Sequence, residues 1–211
     1  MGKRIQYTLV LGIISIITAV GVGVTYVVTK EKILQREDAR RMEAILTVLP
    51  GIKGSPQELT PTETAPEDKV YTAVGEGDAP IGYAALGEAQ GYSSKIKVMV
   101  GLDPGLDKVL GVKILFQQET PGLGTRVMEI ATTKTLWNMF FGAKAAVTEE
   151  INLNPWFQEQ FRGKALNQLE VVRQQDPEKI VAITGATITT KAVTAAVKNA
   201  IEKITKTARA K

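Results

Sequence analysis

The run Thr184-Gly185-Ala186-Thr187-Ile188-Thr189-Thr190 brings four threonine hydroxyls and one glycine together within seven residues. Upstream, residues 179–183 read as a short β-branched strand. Downstream, residues 191–208 place Val193, Val197, Ile201 and Ile204 on one face of a helix. The run therefore marks a strand-to-helix corner. Gly185 permits a tight backbone there, Ala186 keeps the neighbourhood small, and the first N–H groups of the helix have no intrahelical partner. Those bare donors, with the positive end of the helix dipole, suit an anion such as a phosphate. A plainer reading stands beside this one: threonine is an ordinary N-cap residue, and the run could do no more than cap a helix.

A second stretch, Glu119-Thr120-Pro121-Gly122-Leu123-Gly124, offers different chemistry. Its two glycines let backbone approach a flat ring, Thr120 offers a hydroxyl to a ring heteroatom, and Leu123 can cover an apolar face. Taken alone it is equally a Pro-Gly turn. Gly122-Leu123-Gly124 begins a G-x-G-x-x-G pattern, but Val127 stands at the third glycine position, which argues against a dinucleotide-binding fold. Tyr92 and Trp137 could lie near such a ring, although large aromatics more often pack in a core.

Taken in order, Gly91-Tyr92, the strand at 97–103, Glu119 to Gly124 and the Thr184 to Thr190 run resemble the FMN-binding domain of the G subunit of the Rnf electron-transport complex. The C subunit of the sodium-pumping NADH:quinone reductase is similar. The resemblance implies FMN joined through its phosphate to the hydroxyl of Thr187, the last threonine of an [S/T]-G-A-T motif. Thr184, Gly185, Ala186 and Thr189 would surround that phosphate, and Glu119, Thr120, Gly122, Leu123 and Gly124 the ring. The resemblance also implies a separate flavin transferase that takes Thr187 as its substrate; with no histidine in the chain to activate that hydroxyl, self-attachment is not expected. The resemblance further implies an electron-relay subunit that turns over no substrate by itself. Its partners would be the other membrane subunits of an ion-translocating ferredoxin:NAD oxidoreductase, and its flavin domain would lie on the extracytoplasmic side of the inner membrane. One position departs from the family pattern: Val181 stands six residues before Thr187, where an acidic residue is usual. Two rival readings are a flavin domain serving another extracytoplasmic reductase and a membrane-tethered scaffold without a redox group.

Composition narrows the chemistry from the other side. The 211-residue chain contains no cysteine and no histidine, which removes disulfides, thiolate-held iron–sulfur clusters, the usual zinc sites and the Ser-His-Asp and Cys-His nucleophile pairs. Electron transfer by this chain would need an organic cofactor. The net charge of +4 has its basic bias near the ends, with no basic patch interleaved with aromatics, so nucleic acid is not an expected partner. Basic clusters beside an apolar anchor instead fit lipid headgroups or a solvated helix end.

The elements that must position these groups follow from periodicity. Residues 5–29 carry no charge and are long enough to cross a hydrocarbon core that needs about 20 apolar residues, which predicts an uncleaved transmembrane helix. Residues 30–49 predict an amphipathic helix with Leu34, Met42, Ile45, Leu46 and Leu49 near one face, ended by Pro50-Gly51. Residues 54–68 predict a loop. Strands are expected at 70–74, 81–86, 96–100 and 109–116, joined by short turns into an antiparallel sheet. Helices are expected at 126–141 and 155–161, strands at 171–172 and 180–183, then the terminal helix. Strands first and helices later define an α+β fold, with an anchor at 1–29, a linker at 30–68 and an FMN-binding domain at 69–211.

Overall fold

A computed structural model describes residues 2–52, 55–61, 64–75, 80–130 and 154–209. The chain divides into two compact units, 1–41 and 42–211. The described residues of the first belong to helix α1, Gly2–Val48. Among the described residues, α1 is the one helix long and apolar enough to cross a membrane, and its apolar window is not buried by protein. Threonine is tolerated there because Thr18, Thr25 and Thr29 return their hydroxyls to the carbonyls of Ile14, Gly21 and Thr25, so none of these donors faces an apolar surround unpaired.

In the second unit, β1 (Gln57–Glu58), β2 (Val70–Val74), β3 (Pro80–Gln90), β4 (Lys95–Leu102) and β5 (Val109–Phe116) form one antiparallel meander in sequence order. Pleat alternation sorts the strands onto two cores. Val70, Ala85, Ile96, Val98, Val100 and Leu102 face one side, while Tyr71, Ala84, Leu86 and Met99 face the other. The first side is covered by the terminal helix α3, Thr187–Arg209, through Val193, Ala196, Val197, Ala200, Ile201 and Ile204. These positions recur at helical spacing and include all four residues expected on that face. Gly87 of β3 permits the contact: a Cβ built there would lie 1.9 Å from the Ala196 carbonyl oxygen.

The opposite side takes the last turns of α1. Ala44, Ile45, Val48 and Leu49 are buried there, whereas Leu34, Met42 and Leu46 are exposed, which corrects the expected stripe. The physical reason lies in the sheet. A Cβ on Gly101 would meet the Val48 carbonyl oxygen at 2.3 Å, and one on Gly111 would meet the Val48 Cα at 3.1 Å, so the helix backbone itself sits against the strands. The amphipathic segment is thus continuous with the apolar helix, and residues 42–49 belong with the sheet, whereas periodicity alone puts the boundaries at 29 and 68.

Beyond the sheet, residues Gly124–Met128 form a 3₁₀ turn, where the sequence predicts a helix from 126. The remainder of that expected helix, with Trp137, Phe140 and Phe141, lies outside the described residues apart from Glu129 and Ile130, which are not helical. Helix α2, Trp156–Glu159, is shorter than expected and is anchored by Phe157 and Phe161, both fully buried and edge to face at 5.6 Å. The short strands β6 (Val171–Val172) and β7 (Ile180–Val181) pair in parallel. Gln160 extends that pairing sideways, its side chain accepting from the Val181 N–H at 2.8 Å. Val181 is therefore half-buried, with its N–H held by a side chain.

Candidate functional site

Helix α3 begins at Thr187, four residues earlier than the helix expected from 191. Threonine is a weak helix former, yet three of the first four residues of α3 are threonines. Two of them are held by side-chain bonds. Thr190, fully buried, donates its hydroxyl to the Ala186 carbonyl at 3.0 Å and accepts from the Ile183 N–H at 3.2 Å. Thr189, 2% exposed, donates to Glu119 Oε2 at 2.5 Å. Gly185 makes the preceding turn in the left-handed region, at φ 81°. The first intrahelical bond runs from the Thr190 N–H to the Ala186 carbonyl. Among the described residues, no group accepts from the N–H of Thr187, Ile188 or Thr189, which leaves those donors at the positive end of the helix.

The four threonines of the run differ sharply in what their hydroxyls can do. Thr189 and Thr190 are buried and committed. Thr184 is exposed in the turn, and Thr187 is half-buried at the first helical position. Thr187 also lines a cleft of about 550 Å³ between Gly185–Thr189 and the loop carrying Thr120, Leu123 and Gly124, with Tyr92 at its edge. That volume is within the range of small-molecule sites. Of the residues expected to hold the phosphate or lie by the ring, Thr184 and Gly122 do not line the cleft; Trp137 lies outside the described residues, and Tyr92, Glu119, Thr120, Leu123, Gly124, Gly185, Ala186, Thr187 and Thr189 do line it. Tyr92 is 69% exposed, so its ring is not part of the core. Leu123 and Ile188 are likewise exposed at 45% and 55%, so the cleft presents three large apolar side chains that protein does not cover.

Glu119 has a role that the sequence did not reveal. It is 5% exposed and accepts hydrogen bonds from the N–H groups of Tyr92, Ser93 and Ser94 and from the Thr189 hydroxyl. Its carboxylate thereby ties the β3–β4 turn, the loop after β5 and the first turn of α3 into one unit. Both neighbouring glycines are shaped to it. A Cβ on Gly91 would lie 2.6 Å from Glu119 Oε1, and one on Gly124 would lie 2.6 Å from the Glu119 Cβ and 2.7 Å from Thr189 Oγ1. Such short approaches, not turn formation alone, explain why glycine stands at these two places. Gln117 and Ser94 complete the junction, receiving the N–H groups of Glu119 and Gln118 at 2.7 and 2.8 Å.

Burial alone would push the Glu119 carboxyl up, but the Thr189 hydroxyl and the three N–H groups outweigh it and hold the group below its ordinary value. A carboxyl lowered in the folded state contributes stability above its unfolded value and loses it as pH falls through the folded one. The urea midpoint should therefore hold steady near neutrality and drop progressively once pH falls below about 4.5. Glu119→Gln should shrink that acid-induced drop. A drop of the same size in the variant would place the acid sensitivity elsewhere.

Fold and site together define a class: an α+β domain following a helix of membrane-spanning length, with a helix N-terminus, its first N–H groups unpaired among the described residues, opening into an apolar-edged cleft. Residues 91–202 match the model of the FMN-binding domain, and the chain belongs to that family. Among its curated relatives is the G subunit of the proton-translocating ferredoxin:NAD(+) oxidoreductase complex of Clostridium ljungdahlii. It is 33% identical over 138 residues, which cover 65% of this chain and 60% of that one. The G subunit of the ion-translocating oxidoreductase complex of Aliivibrio fischeri is 30% identical over 209 residues, covering 92% of this chain and 87% of that one. A solved structure, Shewanella oneidensis NqrC, superimposes with a TM-score of 0.47 at 18% identity, over 68% of this chain and 61% of that chain.

Proposed function

We propose that this chain is a membrane-anchored electron-transfer subunit that carries FMN as a phosphoester on Thr187, within an ion-translocating ferredoxin:NAD oxidoreductase complex. The observation that carries the reading is the sorting of the hydroxyls. In the motif run, Thr187 alone combines a place in the cleft with a hydroxyl not already held by a protein acceptor among the described residues. The FMN-binding family membership and the names of the relatives support the cofactor and the complex.

FMN supplies the electron-accepting ring that a chain without cysteine or histidine lacks. The residues present fit it. The free N–H groups of Thr187, Ile188 and Thr189 would bind the phosphate, whose remaining charge the helix terminus favours. Leu123, Ile188 and Tyr92 would cover apolar parts of the ring and exclude water from it. Thr187 would be esterified by a separate flavin transferase. The flavin domain lies outside the cytoplasm in this reading, with α1 holding it to the inner membrane among the other subunits and lipid. A tether of this kind keeps the carrier in place while electrons pass through it.

The test is purification of the matured chain from its native membrane, followed by denaturation and intact-mass measurement. The expected result is yellow colour that stays with the unfolded polypeptide and a mass gain equal to one esterified FMN. A bare polypeptide mass refutes the proposal.

A further inference from the structure

We infer that Glu119 sets the reduction potential of the flavin through a fixed, unpaired negative charge at the cleft wall, in addition to holding the cleft together. This rests on the flavin reading above. Glu119 differs from Glu88 of β3, a half-buried carboxylate that is neutralised by Lys95 and Lys97. No cation among the described residues neutralises Glu119; its partners are three backbone N–H groups and one hydroxyl, all of them dipoles. Dipoles keep the carboxylate ionised without cancelling its net charge.

The same four bonds occupy the acceptor directions of both oxygens. Glu119 therefore has little capacity left to bind a ligand directly, and it acts on the cleft through its field. At 5% exposure that field is poorly screened by water. Each electron accepted by a ring in this cleft adds negative charge, and a nearby carboxylate opposes that addition. The residue thus favours the oxidised cofactor and makes the reduced one a stronger donor.

Thr189 supplies a second handle with the opposite sign. Its hydroxyl points its positive end at Glu119 Oε2 from 2.5 Å, so its removal leaves the charge less compensated.

Potentiometric titration of the matured chain, at a pH well above the carboxyl range and with intact mass recorded on every sample, tests this. Glu119→Gln should raise the midpoint by about tenfold in the reduction equilibrium constant, or about 30 mV for a two-electron couple. Thr189→Val should lower the midpoint. A purely structural role would weaken both variants without moving their potentials in opposite directions. If Glu119→Gln fails to fold, the sign of the Thr189→Val shift decides. Flavin present by mass with the midpoint unchanged overturns the inference and leaves the phosphoester reading standing. A wild-type chain without the added mass overturns both.

Discussion

Thr187→Ala should leave the chain with no covalent flavin at all, whereas Thr184→Ala should retain it. Both variants remove a threonine hydroxyl within one short corner, and both positions carry hydroxyls that protein does not bury. They differ in what surrounds them: Thr187 lines the cleft at the first position of α3, and Thr184 lies outside the cleft lining, in the turn before it. Alanine at 187 is a better helix former than threonine and keeps the Cβ, so the fold should survive. Loss of the FMN mass in Thr187→Ala with an unchanged urea midpoint would separate a chemical from a structural cause. Thr187→Ser, which restores a hydroxyl at the same Cβ, should recover part of the mass gain. A flavin that persists in Thr187→Ala would remove the assignment of this residue.

Gly87→Ala should be the most destabilising single methyl group in the domain. The added carbon would lie 1.9 Å from the Ala196 carbonyl oxygen, 2.9 Å from its carbon and 3.0 Å from the Ala200 Cβ. The two closest are backbone atoms of α3, so no rotamer change relieves the clash. The helix must lift from β3, and it is the element that buries Val193, Val197, Ile201 and Ile204 against the sheet. Overpacking typically costs about 1–3 kcal/mol, and a collision with backbone belongs at or above the upper end. Against a domain stability of roughly 5–15 kcal/mol, the shift should be plain in the urea midpoint. A midpoint within experimental error of the wild type would mean that α3 and β3 are not packed this closely.

The strands β2 and β5 were legible to the residue, because β-branched runs bounded by turn residues are a local signal. The buried face of α3 was legible because its apolar residues recur at helical spacing, which is also local. Its first turn was not: threonines there look β-branched and unsuited to a helix, and Thr189 is held by a carboxylate 70 positions away in sequence. Glu119 itself read as a ring-binding residue because its neighbours Thr120 to Gly124 did. Three of its four partners in the fold, the turn N–H groups at Tyr92, Ser93 and Ser94, carry no side-chain signature. A faint sign did exist in Gly91 and Gly124, whose missing side chains make room for the carboxylate and for Thr189. The buried stripe of α1 was misjudged because hydrophobic spacing predicts which side chains are apolar, and cannot foresee a sheet face smoothed by glycine that accepts bare helix backbone.

That smooth face bears on how the domain can be handled. Ala44, Ile45, Val48 and Leu49 are as much a part of the folded interior as any strand residue, although they arrive on the same helix as the anchor. A cut made after Leu49, where the helix visibly stops, would strip away half of one hydrophobic layer and lay Gly101, Gly111 and Met99 open to solvent. A water-soluble fragment has to keep the helix from Met42 onward, and severing the greasy leader belongs upstream of that residue.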